Sequence, residues 1–178
     1  RQRQMCIRDR VGIAGARLLY ADDTIQHAGV VVGLGGVAAH VLCKLPRDAE
    51  GYMGRLRCVQ EISAVTAACM MVKTSVFKAV GGFDEELKVA FNDIDLCMKV
   101  RKYGVKIVFT PYAELYHYES KSRGMEDTPE KQLRFSREVN CFRRKWEREL
   151  LKGDPYYNPN LTLNNTDCSL RKQEKNGD

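Results

Sequence analysis

The tightest constraint on the fold lies between Asn92 and Pro111, where a helix-period stretch stops at Gly104 and the strand-like "VKIVFTP" follows at once. Leu96, Val100 and Tyr103 recur at the spacing of one helical face, so that face is expected against a core. Asn92 is expected to cap the helix, with Asp93 and Asp95 in its first turn, where the helix dipole favours negative charge. Pro111 is expected to close the strand, because it has no N–H to offer a ladder. A helix start and a strand end deliver polar residues to one edge of a sheet, which puts Asp93 and the later His117 in the same region.

The flanking sequence supplies the remaining elements. The small, apolar "VGIAGARLLY" reads as a buried strand, "ADDT" as a turn and "IQHAGVVVGLGG" as a returning strand that ends in glycines. "LPRDAEGYMGRLR" is loop, and "CVQEISAVTAACMMVK" reads as one long strand. "TSVFKAV" is a short helix that Gly81 and Gly82 stop. Thr128 and Pro129 open a final long helix, in which Phe135, Val139, Phe142, Trp146 and Leu150 form an apolar stripe until Gly153. The fold class is therefore α/β, a mixed sheet flanked by helices. Residues 164–178 are expected to be a flexible tail.

Composition narrows the function classes. At 178 residues and 44% hydrophobic content the chain can bury a real core. No apolar run approaches the ~18 residues that cross a bilayer. Seven dispersed cysteines contain no Cys-x-x-Cys pair, which speaks for reduced thiols over a zinc site or a disulfide framework. The net charge of +6 leaves nucleic acid, an anionic surface or phosphorylated substrates open, but it gathers at the two ends and in "RFSREVNCFRRKWEREL". The first ten residues, "RQRQMCIRDR", carry four arginines and no periodicity. They resemble translated sequencing-adapter DNA, and residues 1–10 are expected to be an artefactual or disordered arm, with the true chain cut just before Val11.

Four stretches, "VGIAGARLLYADDTIQHAGVVVGLGG", "SAVTAACMMVKTSVFKAVGGFDEEL", "FNDIDLCMKVRKYGVKIVFTPYAELYHYESKSRG" and "DPYYNPNLTL", together resemble the C-terminal half of a bacterial family 2 glycosyltransferase, collinearly from about Val11 to Leu163. The resemblance implies the acceptor-side portion of a GT-A, Rossmann-like fold over residues 11–163, with the N-terminal nucleotide-binding half missing. It implies an inverting transfer from a nucleotide-sugar donor to a hydroxyl of a glycan or lipid-linked acceptor, most often in cell-surface polysaccharide synthesis. Asp93 matches the second residue of the family's acidic pair, the usual catalytic base. Asn92 stands at the first position of that pair, where an acidic residue is common, and Asp95 is assigned to the loop or the acceptor. His117 matches a histidine that helps hold metal and pyrophosphate, and Arg123 with Ser120 and Ser122 sits where a phosphate is gripped. The implied cofactor is Mg²⁺ or Mn²⁺, fully bound only with an upstream Asp-x-Asp motif, and the implied setting is cytoplasmic, with peripheral membrane contact of a full-length enzyme.

Each assignment has a plainer counterpart. An Asn-Asp-x-Asp at a helix start is ordinarily a cap and a dipole complement, and a lone histidine after a strand is ordinarily structural. His27 and His40 are read as structural. The competing class is a non-catalytic basic module for nucleic acid or an anionic surface, which requires exposed aromatics interleaved with Lys and Arg. The helical stripe of Phe135, Phe142 and Trp146 reads instead as core, so no nucleic-acid partner is expected.

Overall fold

A computed structural model describes residues 10–118 and 128–172. Strand β1 (Val11–Leu19) lies at the centre of a five-stranded mixed sheet. One of its edges pairs in parallel with the long β7 (Lys106–Tyr116). Its other edge is divided between two antiparallel strands: β6 (Met70–Val72) along Ile13–Gly15 and β2 (Ile25–His27) at Leu18 and Leu19. β5 (Gln60–Glu61) closes the far side against β7. A separate two-stranded ribbon forms from β3 (Val30–Val32) and β4 (Ala38–His40).

Small residues in β1 have a packing reason. A Cβ on Gly15 would lie 2.6 Å from the Cβ of Val65, so the 62–65 segment sits directly on the strand. Gly15→Ala is expected to lower stability by about 2 kcal/mol through overpacking, read as a drop in the urea midpoint. Ile13, Leu19, Ile25, Ala64, Val65, Ile107 and Phe109 fill the core around this contact.

The expected returning strand is two strands. Gly29, at φ +108, lets the chain leave the β1 sheet after His27 and start the β3–β4 ribbon. The expected long strand over "CVQEISAVTAACMMVK" is likewise only β5 and β6, separated by buried Ile62–Val65 and a 3-10 turn at Ala67–Cys69. Pro111 does not close β7. Ala16 pairs with Thr110 and Arg17 with Glu114, so Pro111, Tyr112 and Ala113 bulge out, and the ladder resumes to Tyr116. A bulge removes proline's missing donor from the register.

Helix α1 (Thr74–Ala79) and helix α2 (Asn92–Lys102) fall where expected. The apolar face of α2 holds with one correction: Leu96 and Val100 are fully buried, whereas Tyr103 is exposed. The last helix breaks at Trp146 into α3 (Pro129–Lys145) and α4 (Glu147–Lys152), and the Thr128 side chain caps α3 by accepting from the Lys131 N–H. Of its stripe, Phe142 and Trp146 are buried, Val139 is partly buried and Phe135 is exposed, although the Phe135 ring still lies 5.8 Å from that of Phe91.

The first part of the expected flexible tail is folded in. Leu42 N–H donates to the Thr166 carbonyl, Thr162 N–H to Ser169, and Cys168 is buried. Asp154 of "DPYY" is the buckle for this end. Its carboxylate accepts from Val32 N–H at 2.8 Å, the Ser63 hydroxyl at 2.7 Å and Tyr156 N–H at 2.9 Å.

Candidate active site

The entry to α2 is strained. Phe91 precedes the helix at φ 63, ψ 4, the left-handed region that a bulky L-residue adopts only when its surroundings hold it there. The holding groups are visible. The Phe91 ring packs on Phe142, and Glu138 of α3 accepts from Val89 N–H at 3.1 Å and Ala90 N–H at 2.9 Å, which fixes the two residues before it. Asn92 is therefore the first helical residue and not the cap. Its side-chain oxygen accepts from the Asp93 N–H at 2.7 Å.

That geometry sets Asp93. One carboxylate oxygen accepts from Ile94 N–H at 2.9 Å and the other from Ala67 N–H at 3.0 Å, while the side chain stays partly open to solvent. Each oxygen keeps a lone pair. The result is an oriented, accessible carboxylate able to accept a proton. Ala67 belongs to the 3-10 turn that feeds β6, and Thr66 caps that turn by accepting from Ala68 N–H.

Asp95 does not share the site. It is fully buried on another face of α2, where it accepts from the Trp146 ring N–H at 2.8 Å and pairs with Lys145 at 2.7 Å and Lys99 at 3.1 Å. Two residues of helix turn the side chain by about 200°, so neighbours at i and i+2 cannot face the same way. The expected loop or acceptor contact is thus replaced by a bond between α2 and the end of α3. Lys145 also pairs with Asp84. Burial works against its charge, but the bonds to Asp84 and Asp95 outweigh burial and raise its pKa.

His117 extends β7 by one residue, its N–H donating to the Leu19 carbonyl at the end of β1. Its ring Nδ1 lies 2.8 Å from Gln26 Oε1. Gln26 belongs to β2, and the next residue, His27, reaches the turn that holds Asp93. Thr66 N–H donates to His27 Nε2 at 3.5 Å, next to the Ala67 N–H that holds Asp93. Because Nε2 accepts, the His27 proton is on Nδ1 and is donated to His40 Nδ1 at 2.8 Å. His117 thus stands at the Leu19 end of β1 beside Gln26, and Asp93 beside the 66–67 turn that His27 touches. Ser120, Ser122 and Arg123 lie outside the described residues.

Burial, then the neighbouring His40, holds the His27 pKa well below 6.5. The unfolded imidazole gains a proton as pH falls through that value and the folded one does not. Stability is accordingly full above the unfolded pKa and lost below it, by up to about 1.4 kcal/mol per pH unit. The urea midpoint is expected to fall between about pH 7 and pH 5.5, and His27→Gln to flatten that slope.

Among the described residues no group of three His, Cys, Asp or Glu side chains could enclose a metal ion. His117 by itself offers one nitrogen, whereas Mg²⁺ and Mn²⁺ prefer oxygen ligands. The described residues thus do not make a metal site on their own. No helix among them is long and apolar enough to cross a membrane.

Known proteins carry similar segments inside longer polypeptides. The chain is 56% identical over 164 residues to the uncharacterized protein y4gI of Sinorhizobium fredii, covering 92% of this chain and 18% of that protein. It is 38% identical over 172 residues to the O-antigen biosynthesis protein RfbC of Myxococcus xanthus, covering 96% of this chain and 13% of RfbC. A shorter match, 36% over 62 residues, joins it to the N-acetylglucosaminyl-diphospho-decaprenol L-rhamnosyltransferase of Mycobacterium tuberculosis, with 35% of this chain and 20% of that enzyme covered. The chain thus spans no more than a fifth of these curated relatives. No family model and no solved structure matches it.

Proposed function

We propose that this segment is the acceptor-side part of an inverting glycosyltransferase in cell-surface polysaccharide synthesis, with Asp93 as the base. The observation that carries the reading is the Asp93 carboxylate itself, oriented by Ala67 and Ile94 and partly exposed, in a chain that aligns over 96% of its length with an O-antigen biosynthesis protein. In this reaction an acceptor hydroxyl oxygen bonds to the anomeric carbon of a nucleotide sugar as the carbon–oxygen bond to the diphosphate breaks. The hydroxyl proton passes to a free lone pair of Asp93. Asn92 orients the Asp93 backbone and adds no second charge. Arg123, with Ser120 and Ser122, is the proposed contact for the departing phosphates.

The basic binding module finds little support. Of Phe135, Phe142 and Trp146, which such a module would display, Phe142 and Trp146 are enclosed in the core and Phe135 is exposed.

The donor half is not among the described residues, so the isolated chain is expected to transfer no sugar from any nucleotide sugar and to show little metal-dependent nucleotide binding by calorimetry. Transfer by this chain alone would contradict the partial-site reading. The base assignment is tested by Asp93→Asn in a longer protein that contains the segment.

A further inference from the structure

We infer that Gln26 is a positioning residue for His117, holding its imidazole in the Nδ1–H form and leaving Nε2 with a lone pair. Gln26 is buried in β2, where sequence reasoning had no cause to look for a functional amide. It makes two bonds to the same residue. Its Nε2–H donates to the His117 backbone carbonyl at 3.3 Å, and its Oε1 faces the His117 ring Nδ1 at 2.8 Å. The two bonds fix each other. A backbone carbonyl can only accept, so the amide NH₂ must face it. The amide oxygen must then face the ring, and since that oxygen also only accepts, the ring nitrogen must carry the hydrogen. Turning the amide over would set its oxygen against the His117 carbonyl oxygen and lose that bond, which is what favours the orientation shown.

β2 pairs with β1 at Leu18 and Leu19, with Gln26 at the register shift between them, and His117 is tied to β1 through the Leu19 carbonyl, so both partners meet at the end of β1. The chemical consequence is specific. A neutral imidazole with Nδ1–H presents at Nε2 an electron pair for a cation or for the hydrogen of a hydroxyl, and it cannot donate a hydrogen bond from that atom to a phosphate oxygen. In this neutral form His117 acts as an acceptor at Nε2, and a phosphate would be held by other groups. This catalytic meaning rests on the proposed glycosyl transfer, whereas the tautomer stands on geometry alone.

Long-range proton–nitrogen correlation spectra of the chain at about pH 8, above the ordinary imidazole range, read the tautomer of each of its three histidines. His117 is expected as Nδ1–H. Gln26→Leu, which keeps the bulk and removes both bonds, should move the tautomer ratio about tenfold toward Nε2–H, the bias that one hydrogen bond supplies. A wild-type His117 found as Nε2–H overturns the inference, as does an unchanged ratio in a folded Gln26→Leu chain. If that variant does not fold, the wild-type spectrum decides. An Nδ1–H tautomer in a chain whose longer parent transfers no sugar would refute the transferase reading and leave the role of Gln26 intact. The Nε2–H form with an active parent would do the reverse.

Discussion

Asp95→Ala is expected to destabilise the chain by about 3 kcal/mol, the cost of removing one partner from a buried charge cluster. The Asp95 carboxylate accepts from the Trp146 ring N–H and pairs with Lys145 and Lys99, and it is the fully buried acid of a cluster that Asp84 joins through Lys145. Its loss leaves an indole N–H without an acceptor in the core. Lys145 keeps Asp84 and Lys99 keeps the Gly82 carbonyl, which hold the effect nearer three than five kcal/mol. Urea unfolding measures it directly, since the midpoint should fall while the slope, which tracks exposed surface, does not. Asp95→Asn separates charge from hydrogen bonding. The amide oxygen can still accept from Trp146, so a milder loss is expected. A variant as stable as wild type would show that the Lys145 and Trp146 contacts contribute nothing net.

The same residue shows how far the sequence could be read. β1, the onset of α3 and the stop at Gly104 rest on local chemistry: apolar runs, a Thr-Pro start and glycine at positive φ. These were legible because neighbouring residues decide them. What was not legible depends on partners far along the chain. Asp95 looked like part of an acidic site because it stands two residues from Asp93, but helical rotation sends it to α3 instead. Glu138 stands in no motif of the sequence, yet it is buried and accepts from the Val89 and Ala90 N–H groups ahead of the strained Phe91. Gln26 and His27 sat in a short strand with no motif around them. Their roles come from strand pairing, which sets Gln26 against His117 and His27 against Thr66 across gaps of 91 and 39 residues. An adjacent polar pair inside an otherwise buried strand was the available signal. Such a pair must find buried partners, and partners that can hold two neutral side chains are themselves polar.

Placed in a longer parent protein, Asp93→Asn should lower sugar transfer by about a hundredfold or more, the usual contribution of a general base. The substitution is chosen for what it keeps. Its single amide oxygen can still accept from one of the two, Ala67 N–H or Ile94 N–H, so one of the ties that orient the side chain is kept. The amide NH₂ carries no basic lone pair and cannot take the acceptor proton. Donor affinity should therefore be nearly unchanged in calorimetry while turnover collapses, the signature of an interaction made in the transition state and not in the ground state. Asp93→Ala gives the complementary result, because it also releases the Ala67 N–H and lets the 66–69 turn move, so a loss in binding should join the loss in turnover. Near-normal turnover of Asp93→Asn with intact donor binding would reduce Asp93 to what a carboxylate in the first turn of a helix ordinarily is, a complement to the exposed N–H groups at the start of α2.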